Sequence, residues 1–310
     1  MKRAIMGMLA AAAFGAGFAW SGVAQAGDES RLGMMGSGYV VPGVTYIAAH
    51  STSAVGVTNI CTATVDVYWA ITKEDDTEAG RGRFTVQPHQ TYPFILASEL
   101  PLPSVFYVGE FGTLILAGDV NRDGALTVAD PPCLAVEAFH AEAALNDAVF
   151  LPAWPFDMND LAGTPPGISS LDLMSPDALS TLHSGVVDPP GVGSPTLFFR
   201  YSVGGGDTTY FMLWSAEDIQ GLLLYAVATN YDGQVDQFFV EMENAHLNVI
   251  PASILGLPAG FTNGTVYWQA PDDGVGDYFE TGGDGNGMAL YSVIQSPALG
   301  ATQTILGLGR

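Results

Sequence analysis

The sequence predicts a mainly β protein: two antiparallel β-sandwich domains, with one short helix in the first, after the loop at 119–130. Three observations carry that expectation. From Tyr39 onward apolar residues recur with a period of two, the alternation of a half-buried strand. The apolar runs are short, rich in Val, Ile, Thr, Tyr and Trp, and bounded by Gly, Pro, Asn and Asp. Between 155 and 195, seven prolines (155, 165, 166, 176, 189, 190 and 195) break every regular pattern and separate two strand-rich stretches of domain size. Hydrophobic residues make up 48% of the 310 and charged ones 13%, a balance that builds a large core and excludes disorder. The expected organisation is a signal peptide at 1–26, a first sandwich at 27–155, a Pro-rich connection at 156–194 and a second sandwich at 195–310.

Taken in order, Lys2 and Arg3 precede an apolar run at 4–20, and Ala24-Gln25-Ala26 supplies the small residues of a cleavage site. The run falls short of the roughly 20 residues that span a bilayer. The chain is therefore expected to be exported, secreted or held at the cell surface, starting at Gly27 and with no transmembrane segment after cleavage. Losing Lys2 and Arg3 takes the formal net charge from −23 to −25. So acidic a surface excludes nucleic acid as a partner and suits divalent cations.

In the first half, strands are expected at 44–49, 56–61, 64–72, 83–87, 91–97, 104–109 and 112–117, with 73–82 as a solvated acidic hairpin tip. Val65, Val67, Trp69 and Ile71 share one strand face. The Ala- and Leu-rich stretch 134–145 reads as the helix, with Pro131 and Pro132 before it. On a helix His140 and Glu142 point apart, so they are not expected to share a metal. A strand at 147–153 closes this half, and a short helix is expected near 176–182. In the second half, strands are expected at 196–203, 208–215, 222–229, 237–243, 247–250, 265–270, 288–295 and 302–306. The tripeptides Val67-Tyr68-Trp69 and Val266-Tyr267-Trp268 hint that the halves are related.

Two cysteines remain, Cys61 and Cys133. In an exported chain they are expected to form one disulfide, closing a loop of about 70 residues worth up to roughly 4 kcal/mol. Two buried free thiols are the alternative.

Residues 119–130 carry the sharpest chemistry. Oxygen side chains fall at positions 1, 3 and 5 (Asp119, Asn121, Asp123), glycine at 6 (Gly124) and a carboxylate at 12 (Asp130). Calcium takes six to eight hard oxygen ligands, so such a loop wraps one point. Gly124 makes the sharp turn, the Ala125 carbonyl donates at position 7, and Thr127 holds a bridging water at position 9. The string from Gly118 to Asp130 resembles the calcium loop of type I dockerin modules, with Asp at position 12 and an apolar Leu126 at position 8. The resemblance spans about thirteen residues and implies calcium as the cofactor. Dockerins carry two such loops and this chain shows one, so cohesin binding is not implied. An Asp/Asn/Gly turn that binds nothing is the alternative.

Weaker candidates complete the reading. Asp272, Asp273, Asp277, Glu280 and Asp284 lie in a Gly-rich stretch at 272–287 that offers a second calcium site or a flexible acidic loop. Asn230, Asp232 and Asp236, around Gly233, form a turn with too few ligands. The five histidines show no metal-binding pair, and Ser37 lacks the spacing of a nucleophile elbow. No catalytic arrangement is found, so the chain is not expected to be an enzyme. Trp69, Trp154, Trp214 and Trp268 offer a sugar-stacking platform. The functional expectation is an exported, calcium-stabilised structural or adhesive protein of the cell surface or extracellular matrix. Its expected partner is a further copy of itself, as homo-oligomer or polymer, or a surface glycan. The alternative is a carbohydrate-binding module or glycan-active enzyme.

Overall fold

The computed structural model describes residues 35–47, 51–100, 106, 110–127, 129–142, 147–156, 196–215, 218–269, 288–306 and 308–309. The expected signal peptide, the helix near 176–182, nearly all of the 156–194 connection and the acidic 272–287 stretch lie outside them, as does most of the strand expected at 104–109. The fold is mainly β, with antiparallel sheets, as the alternation predicts.

Ten strands precede the connection: β1 (Gly38–Val44), β2 (Tyr46–Ile47), β3 (Ser51–Asn59), β4 (Val65–Lys73), β5 (Glu78–Val86), β6 (Thr91–Ile95), β7 (Gly112–Asp119), β8 (Leu134–Glu142), β9 (Asp147–Leu151) and β10 (Trp154–Phe156). They form two sheets. Sheet I has the order β10-β1-β7-β4-β5; sheet II has β2-β3-β8-β9, with β6 also on β3. Val67, Trp69, Ile71, Leu114 and Leu116 of sheet I pack with Val55, Val57, Phe94, Val136 and Ala138 of sheet II in one buried cluster. The Trp69 ring meets Phe94 edge-on at 5.1 Å.

After the connection come β11 (Thr196–Ser202), β12 (Thr208–Ser215), β13 (Leu223–Asn230), β14 (Val235–Glu241), β15 (Leu247–Pro251), β16 (Asn263–Gln269), β17 (Met288–Ser296), β18 (Ala301–Leu306) and β19 (Leu308–Gly309). Sheet III has the order β14-β13-β16-β11-β19, and sheet IV has β15-β12-β17-β18. Phe199, Leu224, Ala226, Val266 and Trp268 of sheet III share a second core with Phe211, Leu213 and Ile250 of sheet IV.

Strand alternation gives sheet IV a second apolar face, and it does not go to waste. Met212, Trp214, Leu247, Tyr291 and Val293 belong to the same buried cluster as sheets I and II. The Tyr291 hydroxyl donates to the Pro42 carbonyl at 2.7 Å, and its ring lies 6.0 Å from that of Trp154. Gly43 is obligatory here: its φ is +78°, and a Cβ would sit 2.1 Å from the Tyr291 hydroxyl. At the edges, the Thr302 amide donates to Asp147 Oδ2 at 2.8 Å and the Thr304 hydroxyl to the Phe150 carbonyl. Burying five side chains of this size, each worth about 1.5–3 kcal/mol, couples the C-terminal sheets to the N-terminal core.

The helix expected at 134–145 is a strand. Residues 134–142 are β8, paired along its length with β3 and over Ala138–Glu142 with β9. Leu134, Val136, Ala138 and His140 face the core while Glu137 is exposed, so alternation overrode the helix preference of alanine. The one α-helix among the described residues is instead α1 (Leu96–Glu99), before the loop. On a strand His140 and Glu142 share a face, with Nε2 and Oε2 3.9 Å apart. Several strand boundaries also differ, β3 for example starting at Ser51 against the expected 56, and two of the differences have a visible cause. β1 begins at Gly38, ahead of the expected 44–49, because Gly36 and Ser37 are already tied down: Gly36 exchanges two backbone bonds with Leu134, and the Gly118 amide donates to the Ser37 carbonyl. The acidic tip contracts to a turn at 74–77, because β5 starts at Glu78.

Candidate metal centre

The loop hangs between two fixed points. Asp119 is the last residue of β7 and pairs in register with Asp66 of β4, so its main chain is held by the sheet. At the far end Cys133 is bonded to Cys61, the predicted disulfide, with a sulfur–sulfur distance of 2.00 Å. Cys61 is positioned by Asn59, a fully buried side chain. Its Nδ2 donates to the carbonyls of Ala63 and Val86, while its Oδ1 accepts from the Cys61 amide. Cys133 also accepts a hydrogen bond from the Ile60 amide. Leu126, the apolar eighth position, is buried in the core and anchors the middle.

Between those points two carboxylates brace the backbone. Asp119 and Asp130 are both 0% exposed. Asp119 Oδ1 accepts from the amides of Arg122 and Asp123, and its Oδ2 from Gly124 at 2.8 Å. Asp130 Oδ1 accepts from Val120 at 3.0 Å and Asn121 at 3.2 Å; its Oδ2 accepts from the Thr127 amide at 3.0 Å and the Thr127 hydroxyl at 3.3 Å. Gly124 has φ +82°, the left-handed turn the sixth position needs, and Arg122 is also left-handed. The Ser37 hydroxyl donates to the Asp130 carbonyl, tying the loop to the start of β1.

Electrostatics favour a cation at these two groups. Burial pushes the Asp119 carboxyl above its usual range, the backbone amides of Gly124, Arg122 and Asp123 pull it down, and the Asp130 charge pushes it up again. Arg122 does not relieve the pair, because its guanidinium reaches outward to Asp66 at 3.0 Å. Burial alone would raise Asp66; hydrogen bonds from Thr85 and Arg122 outweigh it and hold that carboxyl below the usual range.

The donor set at these positions is all oxygen, as a hard cation requires. Asp119, Asn121, Asp123, the Ala125 carbonyl, Thr127 and Asp130 would hold calcium, which would supply charge neutralisation and cross-linking. Two of the three carboxylates are brought together. The third is not: Asp123 turns outward, and its Oδ1 accepts from the Ala125 amide at 3.0 Å. Among the described residues no group of three or more His, Cys, Asp or Glu converges as a metal cluster.

The other candidates fall away from any ligand. The Asn230 side chain caps the β13–β14 turn, its Oδ1 accepting from the amides of Asp232 and Gln234, with Gly233 at φ +77°. The four tryptophans are core: Trp69, Trp154, Trp214 and Trp268 are all buried and form no platform. His246 is buried against the Ser215 carbonyl. No helix among the described residues is long and apolar enough to cross a membrane.

Glu74 was invisible in the sequence, where it reads as one more solvated acid. It lies at the junction of the two halves. Burial lifts its carboxyl to about 7, helped by the charges of Glu110 and Asp75 and opposed by hydrogen bonds from the amides of Phe111 and Val249. Phe111 packs at 5.8 Å from Tyr210 of β12, and Val249 is in β15. No local pattern signals this, since its partners arrive from 37 and 175 positions downstream.

No protein-family model matches the chain, and no curated protein is significantly similar to it. Solved structures that resemble it do so remotely. A 7S globulin of Momordica charantia is 9% identical with a TM-score of 0.19, over 77% of this chain and 68% of that one. A β-glucuronidase of Bacteroides uniformis is 10% identical with a TM-score of 0.18, over 87% of this chain; the match spans about a quarter, 26%, of the enzyme's length. Neither likeness carries a functional argument.

Proposed function

We propose that the chain is an exported structural or adhesive protein of the cell surface or extracellular matrix, stiffened by calcium and assembling with itself. The observation that supports this most is the 119–130 loop: two buried carboxylates brace a pattern of oxygen ligands. They lie at the end of a central strand and beside a disulfide. A cation there neutralises two acids whose mutual repulsion the fold otherwise bears, and it locks β7 to the bonded Cys61–Cys133 corner. The disulfide accords with an oxidising compartment, and the net charge with a protein kept soluble outside the cell. Titration calorimetry with calcium and with magnesium on residues 27–310 tests the metal. One site for calcium and much weaker binding of magnesium is the expected result, and heat no greater than dilution for both ions refutes it.

A second reading, glycan binding, is favoured by one observation. Tyr225 and Phe239 pack 5.4 Å apart on the outer face of sheet III, where Phe239 is 67% exposed. Retention on insoluble polysaccharides that is lost in Phe239→Ala would establish it.

A further inference from the structure

Sheet III turns one face to its core and the other outward. Leu224, Ala226, Val266 and Trp268 point into the second core, so alternation sends their neighbours out. The pairing registers set those neighbours in rows. Glu241 stands opposite Leu223 in the first row and Phe239 opposite Tyr225 in the second; Gln237, Val227 and Tyr267 follow, and Val235, Thr229, Thr265 and Arg200 form the last. Leu223, Val235 and Phe239 are each more than half exposed, and Tyr225, Val227 and Tyr267 are half-buried among them. A contiguous apolar patch of this kind, rimmed by polar residues, marks an interaction surface.

The face carries two charges, and they are opposite. Among the described strand residues of sheet III the charged ones are Arg200, Asp236 and Glu241, and Asp236 alternates to the inner side beside Ala228. Arg200 and Glu241 are exposed, and neither has an ion-pair partner among the described residues. They occupy diagonal corners. Glu241 ends the first row on β14 and Arg200 ends the last on β11, at opposite sides of the order β14-β13-β16-β11. Strand spacing and rise put them roughly 25 Å apart, with the apolar side chains between. On so acidic a chain, this is a face over which two copies can approach without setting acid against acid.

We infer that the outer face of sheet III is a dimer contact, and that its occupant is the same face of a second copy. This rests on the reading of the protein as one that assembles with itself. Turning one copy over about an axis that crosses the Arg200–Glu241 diagonal sets Arg200 of each copy above Glu241 of the other. One patch thus supplies both sides of two ion pairs, and Tyr225, Val227 and Tyr267 at its centre meet their counterparts. An axis along the diagonal would set arginine over arginine and glutamate over glutamate, so the charges select a single orientation. The contact is isologous and closes at two copies. Four strands by four rows cover roughly 14 by 20 Å of sheet, which places the contact at the small, reversible end, so the dimer forms and dissolves with concentration.

The test is sedimentation velocity of residues 27–310 in calcium over a range of concentrations, for wild type, Arg200→Glu, Glu241→Arg and the chain carrying both. Both side chains are exposed, so unchanged melting temperatures confirm that the variants fold. Wild type is expected to show a monomer–dimer equilibrium. Each single reversal sets two like-charge pairs across the contact and weakens dimerisation by roughly tenfold. An equimolar mixture of the two single variants regains it, because one brings two acids and the other two arginines, and the double reversal regains it alone. Association that neither reversal weakens overturns this contact and leaves self-assembly standing. Growth beyond two copies that the reversals do weaken overturns the closed pairing. Retention on insoluble polysaccharide that Phe239→Ala abolishes, with sedimentation unchanged, assigns the face to a glycan and overturns the dimer. Wild type that stays monomeric at every concentration overturns both this inference and the self-assembly reading beneath it.

Discussion

Sheets I and III are built alike and used differently. Each has five antiparallel strands, and each holds a Val-Tyr-Trp tripeptide whose Val and Trp are buried: Val67 and Trp69 in β4, Val266 and Trp268 in β16. The difference is what covers the other face. In sheet I every residue of β1 and of β7 is buried, so those two strands are enclosed from both sides. In sheet III the outer face lies open, with Leu223, Val235 and Phe239 each more than half exposed. The N-terminal half also has the disulfide and the braced loop. Similar strands thus serve as a doubly covered scaffold in one half and as a displayed surface in the other, and stability should be concentrated in the first.

The largest effect should come from breaking the face that joins them. Trp214 is 1% exposed and points from sheet IV into the N-terminal core. Trp214→Ala should cost about 3–5 kcal/mol. If the halves share one core, denaturant unfolding followed by tryptophan fluorescence and by circular dichroism should stay a single coincident transition in wild type and separate in the variant. Two separate transitions in wild type would show that the shared core does not couple them.

Removing the disulfide sharpens the contrast next. Cys61→Ser with Cys133→Ser should cost about 2–4 kcal/mol. Hydrogen exchange should place the loss in β3, β7 and β8 and leave β13 and β14 unchanged. Equal loss of protection in both halves would contradict the asymmetry.

Glu74 gives a smaller, pH-dependent effect at the same junction. Its folded carboxyl titrates at about 7 against an ordinary value of 4.5. The folded state therefore binds the proton more tightly than the unfolded chain. Its contribution is fully present below pH 4.5 and is lost as pH rises through 7, at most about 3 kcal/mol. Melting temperature should fall across that window, and Glu74→Gln should flatten the fall. An unchanged pH profile in that variant would remove Glu74 from the account.

Why some of this was legible and some was not follows from where the partners lie. Asp119, Gly124 and Asp130 are within one loop, so their spacing carried the pattern, and Cys61 and Cys133 are the two cysteines of the chain. β8 was misread because Ala135, Ala138 and Ala141 favour a helix locally, whereas the pairing with β3 and β9 that decided otherwise comes from distant chain. The direction Asp123 takes was unreadable for the same reason as the role of Glu74: spacing names ligand types and not where side chains turn.

The central claim is that calcium holds the 119–130 loop and through it the N-terminal half. Asp119 and Asp130 are poor probes, because each also holds several backbone amides, and their removal would destabilise the loop with or without metal. Asp123 is the clean one, since it only accepts a local hydrogen bond from the Ala125 amide and must turn inward to reach the ion. The decisive measurement is a thermal melt of residues 27–310 in chelator and in calcium, for wild type and for Asp123→Ala. At free calcium about 100 times the dissociation constant, linkage adds roughly 2.7 kcal/mol, a rise of several degrees in Tm. Wild type should show that rise, and Asp123→Ala should melt like wild type in chelator and gain far less from calcium. Wild-type melts that coincide in chelator and calcium would contradict the claim and leave the loop a hydrogen-bonded turn.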